Sequence, residues 1–178
     1  MRKTEAPKLE TQRLVLRRLT EADIPFMHRM FDDDAVRKHL GGRPPRDEHS
    51  MLKMVRRRHD KKWAVTLRDT GEYLGEVHIG KVVENTIGEI GYLFLREHWG
   101  KGYAREAVAA MMGHAFETLK LKRLWATVDD GNERSKKLLE KSGFKRAALL
   151  PESDFGGRVA DVVYYTRAAD GKKQARTP

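Results

Sequence analysis

The stretch Ile90-Gly-Tyr-Leu-Phe-Leu-Arg-Glu-His-Trp-Gly100-Lys-Gly102-Tyr-Ala-Arg-Glu-Ala107 carries the most informative spacing in the chain. An apolar run passes through a glycine-containing turn directly into a helical pattern. The first-turn amides of a helix lack partners inside it, and with the helix dipole they favour an anion. Gly100 and Gly102 carry no Cβ, so a phosphate oxygen can approach the backbone and the turn can take unusual torsions. The chemistry predicted here is phosphate or pyrophosphate binding. A P-loop needs Gly-Lys-Ser/Thr, whereas Lys101 lies between the glycines. A dinucleotide fingerprint needs a third glycine where Arg105 stands, and it follows a first strand rather than a third.

Other chemistries find less support. The chain has no cysteine, which excludes disulfides, a thiol nucleophile and a thiolate metal site. Its seven histidines (28, 39, 49, 59, 78, 98 and 114) show no metal-ligand spacing, and none completes a Ser-His-Asp order. His98, beside the glycine turn, is the one to follow.

The elements that must position this segment read as follows. Leu14–Arg17 is a first strand, and Thr20 with Asp23 forms a capping box for a helix through Phe31. Asp32–Asp34 ends that helix, and Gly41-Gly42 with Pro44-Pro45 marks a loop. A basic helix spans about Arg46–Asp60, with Met51, Met54 and Val55 inward. Trp63–Leu67, Tyr73–Val83 and Ile87–Leu95 are three strands, the first two joined at Asp69-Thr-Gly71. Ala104, Ala107, Val108, Met111, Met112, Ala115, Phe116 and Leu119 make one helical stripe from about Gly102 to Leu119. Leu124–Val128 returns as a strand, and a helix covers about Asn132–Ser142 before a left-handed cap at Gly143. Phe144–Leu150 and Val159–Thr166 close the sheet around the loop 151–157. The expected fold is α/β (α+β): a mixed, mostly antiparallel sheet of six to seven strands flanked by four helices.

All of this fits one domain, with a core over about residues 9–166 and a polar, aperiodic tail from 167 to 178 expected to be disordered. No apolar run is long enough for a membrane helix, and Met1–Pro7 lacks the apolar region of a secretory signal, so a cytoplasmic protein is expected. The 36 basic against 26 acidic residues give a net charge of +10. Residues 63–166 are neutral; the excess lies in the N-terminal third and the tail. Its densest piece, 53–62, reads as the solvated face of a helix or as a surface steering an acidic, ribosomal or RNA-associated partner.

The glycine segment resembles the acyl-CoA-binding motif [QR]-x-x-G-x-[GA] of the GCN5-related N-acetyltransferases (GNAT). It is most similar to the ribosomal-protein N-terminal acetyltransferase branch. That branch reads like Glu89-Ile-Gly-Tyr92, Trp99-Gly-Lys-Gly-Tyr-Ala104-x-Glu106-Ala107, Asn132-x-x-Ser135, Glu140-Lys-Ser-Gly-Phe144 and the opening Thr11-x-Arg13-Leu-x-Leu16-Arg-x-Leu19. The likeness covers about residues 9–166. Glu97 departs from it, since an acidic side chain there cannot hold pyrophosphate and leaves that work to backbone amides.

The resemblance implies acetyl-CoA as cosubstrate and a GNAT fold whose strand before the motif splays from its neighbour. Leu93, Phe94 and Leu95 would then contact pantetheine, and the amides of Gly100, Lys101, Gly102, Tyr103 and Ala104 the pyrophosphate. An amide near Leu93 would stabilise the oxyanion. Amide formation also needs a base for the ammonium and an acid for the thiolate. The tyrosine that many relatives use as acid is replaced by Leu139, which leaves Ser135 as acid or as a cap or cofactor contact. Asn132 is expected to bind cofactor or cap its helix. Glu89 is the favoured base, or else a cross-strand charge partner; Glu152 and Asp154 are its rivals. No metal is expected, and transfer would be direct, without a covalent enzyme intermediate. The acceptor implied is a protein N-terminal amine, with a small-molecule amine as the alternative. A reading of another class is an acyl-CoA- or RNA-binding module without turnover, favoured by Leu139 and Glu97. The basic segment lacks the aromatic platforms expected of an RNA binder.

Overall fold

The computed structural model describes residues 7–41, 47–57, 62–154 and 159–169. Eight strands form one sheet in the order β1-β2-β3-β4-β5-β6-β8-β7. They are β1 (Leu9–Glu10), β2 (Leu14–Arg18), β3 (Lys62–Leu67), β4 (Tyr73–Val83), β5 (Ile87–Phe94), β6 (Arg123–Asp129), β7 (Lys145–Asp154) and β8 (Val159–Ala168). The helices are α1 (Ile24–Asp32), α2 (Asp34–Arg37), α3 (Glu48–Arg57), α4 (Tyr103–Gly113) and α5 (Glu133–Lys141). The expected mixed α/β fold is present, with one strand and one helix more than the sequence announced. Both extra elements, β1 and α2, are too short for a periodic signal. Among the described residues no helix is long and apolar enough to cross a membrane.

Alternation along the strands divides the core in two. One face gathers Leu14, Leu16, Trp63, Val65, Val77, Ile90, Phe94, Ala126 and Val163 against α4 and Leu139 of α5. The other packs Leu19, Ala64, Tyr73 and Leu95 against Met27, Met30 and Phe31 of α1 and Met51 and Val55 of α3. The capping carboxylate is in place: Asp23 Oδ2 accepts the Thr20 N–H at 2.8 Å and is also held by Arg17. Asp33 then caps α2 by accepting the Ala35 N–H.

Three local readings are revised. After Gly113 the fourth helix passes into a π-turn, His114–Thr118, closed by Leu119 N–H donating to His114 O at 3.0 Å. The extra residue rotates Leu119 into solvent and lets Leu121 take the inward place. β7 continues through Pro151 to Asp154, so Glu152 and Asp154 stand on a strand and not in a loop. Proline is tolerated there because β7 is an edge strand. Within the basic segment 53–62, Lys62 opens β3 and is 6% exposed, ion-paired with the buried Glu76, so it is no part of a docking surface. Arg56 pairs with Glu21, while residues 58–61 and the tail from 170 lie outside the described residues.

Most of the sheet is antiparallel, but β5 and β6 pair in parallel, and only at Ile87↔Arg123, Gly88↔Leu124 and Glu89↔Trp125. Past Glu89 each strand follows its antiparallel partner. β5 stays with β4 as far as Phe94↔Gly75, and β6 stays with β8 as far as Asp129↔Val162. A wedge opens between them. Leu139 of α5, in the core on the α4 side of the sheet, is 0% exposed. Leu139→Tyr is therefore expected to overpack the core and cost about 1–3 kcal/mol. Urea denaturation checks this; an unchanged midpoint would show spare volume at the slot.

Candidate active site

Backbone groups along β5 point alternately to either side. Leu95 N–H donates to Leu74 O on β4, and Leu93 O presses on Gly75, 2.1 Å from where a Cβ would stand. Thr86 O, at the other end, accepts from Lys122 on the β6 side. Alternation then turns the backbone of Tyr92 and Phe94 toward the wedge, and that of Leu93 and Leu95 toward β4. Of the three residues expected to line a pantetheine arm, Phe94 alone offers backbone groups to the opening. Its carbonyl is taken by the Trp99 indole N–H at 2.8 Å, which leaves its amide and both groups of Tyr92. Near Leu93, where an oxyanion amide was expected, the amides that face the wedge are those of Tyr92 and Phe94.

Beyond Phe94 the chain makes a tight turn at Arg96–His98 and reaches Gly100 and Gly102, whose φ values of 76° and 82° are left-handed. Gly102 caps α4, and the first amide bonded within the helix is that of Glu106, to Gly102 O at 3.1 Å. The amides of Tyr103, Ala104 and Arg105 precede it and have no acceptor within the helix. No atom lies within 4 Å of where a Gly100 Cβ would be, and the turn is exposed. Open space and unbonded first-turn amides make this turn a cradle with the chemistry to take an anion.

The cradle is clamped from the far end of the sequence. Glu106 accepts from Thr11 Oγ1 at 2.6 Å, Arg13 N–H at 2.9 Å and Arg13 Nε at 2.7 Å. Arg13 also donates to Lys101 O at 3.1 Å and lies over the Tyr103 ring at 4.6 Å. Burial alone would raise the Glu106 pKa, but the bonds from Thr11 and Arg13 outweigh it and hold the carboxyl below its ordinary value. Glu97, the departure from the motif, turns to Arg29 of α1 at 2.6 Å. His98 is buried 3.4 Å from Glu72, without hydrogen-bond alignment, and burial lowers its pKa against the pull of Glu72 and Glu97. It packs beneath the turn rather than presenting a charge to it.

Two groups flank the wedge on opposite faces of the sheet. On the α4/α5 face, Asn132 Oδ1 caps α5 by accepting the Ser135 N–H at 3.1 Å, the capping role foreseen for it. Ser135 Oγ lies 2.7 Å from the Tyr92 hydroxyl. On the face shared with α1 and α3, Glu89 is half-buried at the apex, in register with Gly80 and Trp125. Its Oε2 and the His78 ring both lie 3.6 Å from the position of a Gly80 Cβ, and the ring covers Gly91 within 2.2 Å of its absent Cβ. Two glycines thus form a floor for a carboxylate and an imidazole. Two further carboxylates on this face are buried, Glu76 beside Lys62 and Asp129 beside His39 at 3.1 Å. Glu152 and Asp154 stand on β7, separated from β6 by β8.

An opened parallel pair leading to a helix N-terminus is a site for a long, anion-tailed molecule. The family model described as "Acetyltransferase (GNAT) domain" matches residues 13–145. The chain belongs to the GNAT acetyltransferase family. It is accordingly an acyltransferase. Among its relatives is the uncharacterized N-acetyltransferase YoaA of Bacillus subtilis, 30% identical over 81% of this chain and 86% of that protein. A GNAT-family acetyltransferase from Bacillus anthracis superposes with a TM-score of 0.83 at 26% identity, covering 91% of this chain and 98% of the other. The fold is also shared with a ribosomal-protein-S5-alanine acetyltransferase from Vibrio fischeri (TM-score 0.76, 18% identity, 92% and 97% covered). It is shared equally with a spermidine N-acetyltransferase from Vibrio cholerae solved with CoA and spermine (0.77, 21%, 89% and 96%).

Sequence reasoning missed Tyr92, His78, Arg13 and Glu106 as site residues. Tyr92, Arg13 and Glu106 stood within quoted motifs, and His78 shares a face with Glu89 only once β4 and β5 are in register. A depressed carboxyl stabilises the fold above its unfolded pKa of about 4.3, and that gain is lost as pH falls through the folded value. Glu106→Gln is expected to lower the melting temperature at pH 7 and to flatten the loss of stability on acidification below about pH 4.3. Melting curves from pH 7 to 3 test this; an unchanged acid profile would show that the clamp contributes nothing.

Proposed function

We propose that this GNAT enzyme acetylates the N-terminal amine of a protein, of the ribosomal-protein type, with acetyl-CoA as donor. The observation that carries the reading is the wedge itself, with an anion cradle at one end and potential acid and base on its two faces. The donor would supply the activated acetyl thioester. Amides 103–105 and those of the glycine turn would hold its pyrophosphate, and Tyr92 and Phe94 would pair with its pantetheine arm.

The roles of the chain's own groups follow from their sides of the sheet. Glu89, at the apex on the α1/α3 face, accepts the ammonium proton, directly or through water. The amide of Tyr92 or Phe94 donates to the oxyanion of the tetrahedral adduct. Ser135, on the opposite face, protonates the sulfur as the C–S bond breaks. Glu152 and Asp154 are less suited to the base role, because β8 separates their strand from the wedge.

Support for a single-ammonium acceptor comes from the carboxylates. Of the three carboxylates named on the acceptor face, Glu76 and Asp129 are buried and Glu89 is half-buried. A polyamine would call for several accessible acids. The Thr11-x-Arg13 and Asn132-x-x-Ser135 signatures, which carry the resemblance to the N-terminal branch, support the same acceptor.

Ser135→Ala is expected to lower kcat by roughly 10²-fold, as loss of a general acid does, with little change in acetyl-CoA affinity. Steady-state rates on N-terminal peptides beside calorimetric CoA titration separate the two; a pure affinity loss would make Ser135 a binding residue. Glu89→Gln should remove the acidic limb of the kcat/KM profile, and a retained limb would reassign the base. Spermidine turnover exceeding that of every peptide would overturn the acceptor.

A further inference from the structure

We propose that Tyr92 is the positioning residue for the leaving-group proton, donating from its hydroxyl to Ser135 Oγ and so turning the serine hydrogen into the wedge. This rests on the reading of Ser135 as the acid. The two oxygens are 2.7 Å apart and belong to opposite walls, β5 and the first turn of α5, 43 positions apart in the chain. The same phenol lies 3.4 Å from Ser135 O, so it meets the serine twice. Asn132 fixes the Ser135 backbone through its N–H, which leaves the hydroxyl rotor as the one free variable at this residue.

Either oxygen could donate on geometry alone. A phenol is the stronger acid of the two and hence the better donor. Burial pushes the Tyr92 pKa further up, although the bond to Ser135 pulls the other way, so the ring keeps its proton across the working range. With Tyr92 donating, Ser135 Oγ has its own hydrogen left to present. Tyr92 lies past the last β5–β6 pair, where the strands have separated, and Ser135 is itself half-buried.

The step balances as follows. The C–S bond breaks with both electrons going to sulfur, sulfur takes the Ser135 hydroxyl proton, and Ser135 regains one from water. Tyr92 keeps its own proton and steadies the oxygen momentarily left on Ser135. The ammonium proton leaves through Glu89 to solvent, and the adduct nitrogen gives a second proton to water, which makes good the one that Ser135 takes up. Two N–H bonds are lost for one S–H gained, and one proton is released.

The test compares Tyr92→Phe, Ser135→Ala and the double variant by kcat, calorimetric acetyl-CoA affinity and melting. Losing one hydrogen bond to the acid is expected to lower kcat about tenfold in Tyr92→Phe, with affinity within about twofold. In the Ser135→Ala background the same change should then cost nothing further. A tenfold loss in both backgrounds, or a loss confined to affinity or melting, would overturn the inference. If Ser135→Ala leaves kcat intact, the acid assignment fails; if Ser135→Ala lowers it and Tyr92→Phe does not, this inference alone fails. Should Tyr92→Phe not fold, 3-fluorotyrosine at 92 keeps the donor and shape. Its kcat should stay within about threefold of the parent, and a larger loss contradicts the proposal.

Discussion

Everything at this site depends on two strands that stay paired for three residues and then part. A parallel pair is held by slanted bonds and is slightly weaker per residue than an antiparallel one. β5 and β6 each carry a long antiparallel partner, β4 and β8, and past Glu89 each follows it. The separation leaves unpaired peptide groups at Tyr92 and Phe94 inside a folded sheet. Such groups are costly unless solvated or bonded, so an opening of this kind persists where a ligand completes the ladder.

The wedge is useful because its ends are held. At its mouth the Phe94 carbonyl is closed by Trp99, and Arg134 of α5 lies over the Trp99 ring at 4.7 Å, tying the two walls across the opening. At the helix end, Glu106 gathers Thr11 and Arg13 from the turn between β1 and β2, so the free amides of α4 are aimed by contacts 93 to 95 positions away in sequence. Exposed ion pairs contribute little stability singly. Here the shared carboxylate has three donors in fixed directions, and its value lies in where it holds α4. Glu97, the departure from the motif, holds Arg29 of α1 beside the same turn.

Much of this was legible in the sequence, and what was not has a common cause. Strands β3 to β6, the fourth helix, the left-handed Gly143 and the Thr20–Asp23 box all announce themselves through local periodicity or turn chemistry. The wedge was expected from the family resemblance alone and has no local signal, because parallel pairing joins residues 36 apart, as Glu89 and Trp125 show. Of the expected Leu93, Phe94 and Leu95, only Phe94 turns its backbone to the wedge, since which way each peptide faces follows from the ladder to β4 rather than from residue type. Tyr92–Ser135 and Arg13–Glu106 have no local signature at all. Lys62 was misread for the opposite reason: a run of basic residues hid the point where the chain turns inward to begin β3.

The claim that carries the rest is that the opened β5–β6 pair is an acetyl-CoA site. Calorimetric titration of the folded protein with acetyl-CoA and with CoA tests it most directly. One site per chain, bound in the micromolar range and lost in Gly102→Glu, is the predicted result. No heat of binding from a protein shown to be folded, or binding untouched by Gly102→Glu, would contradict it.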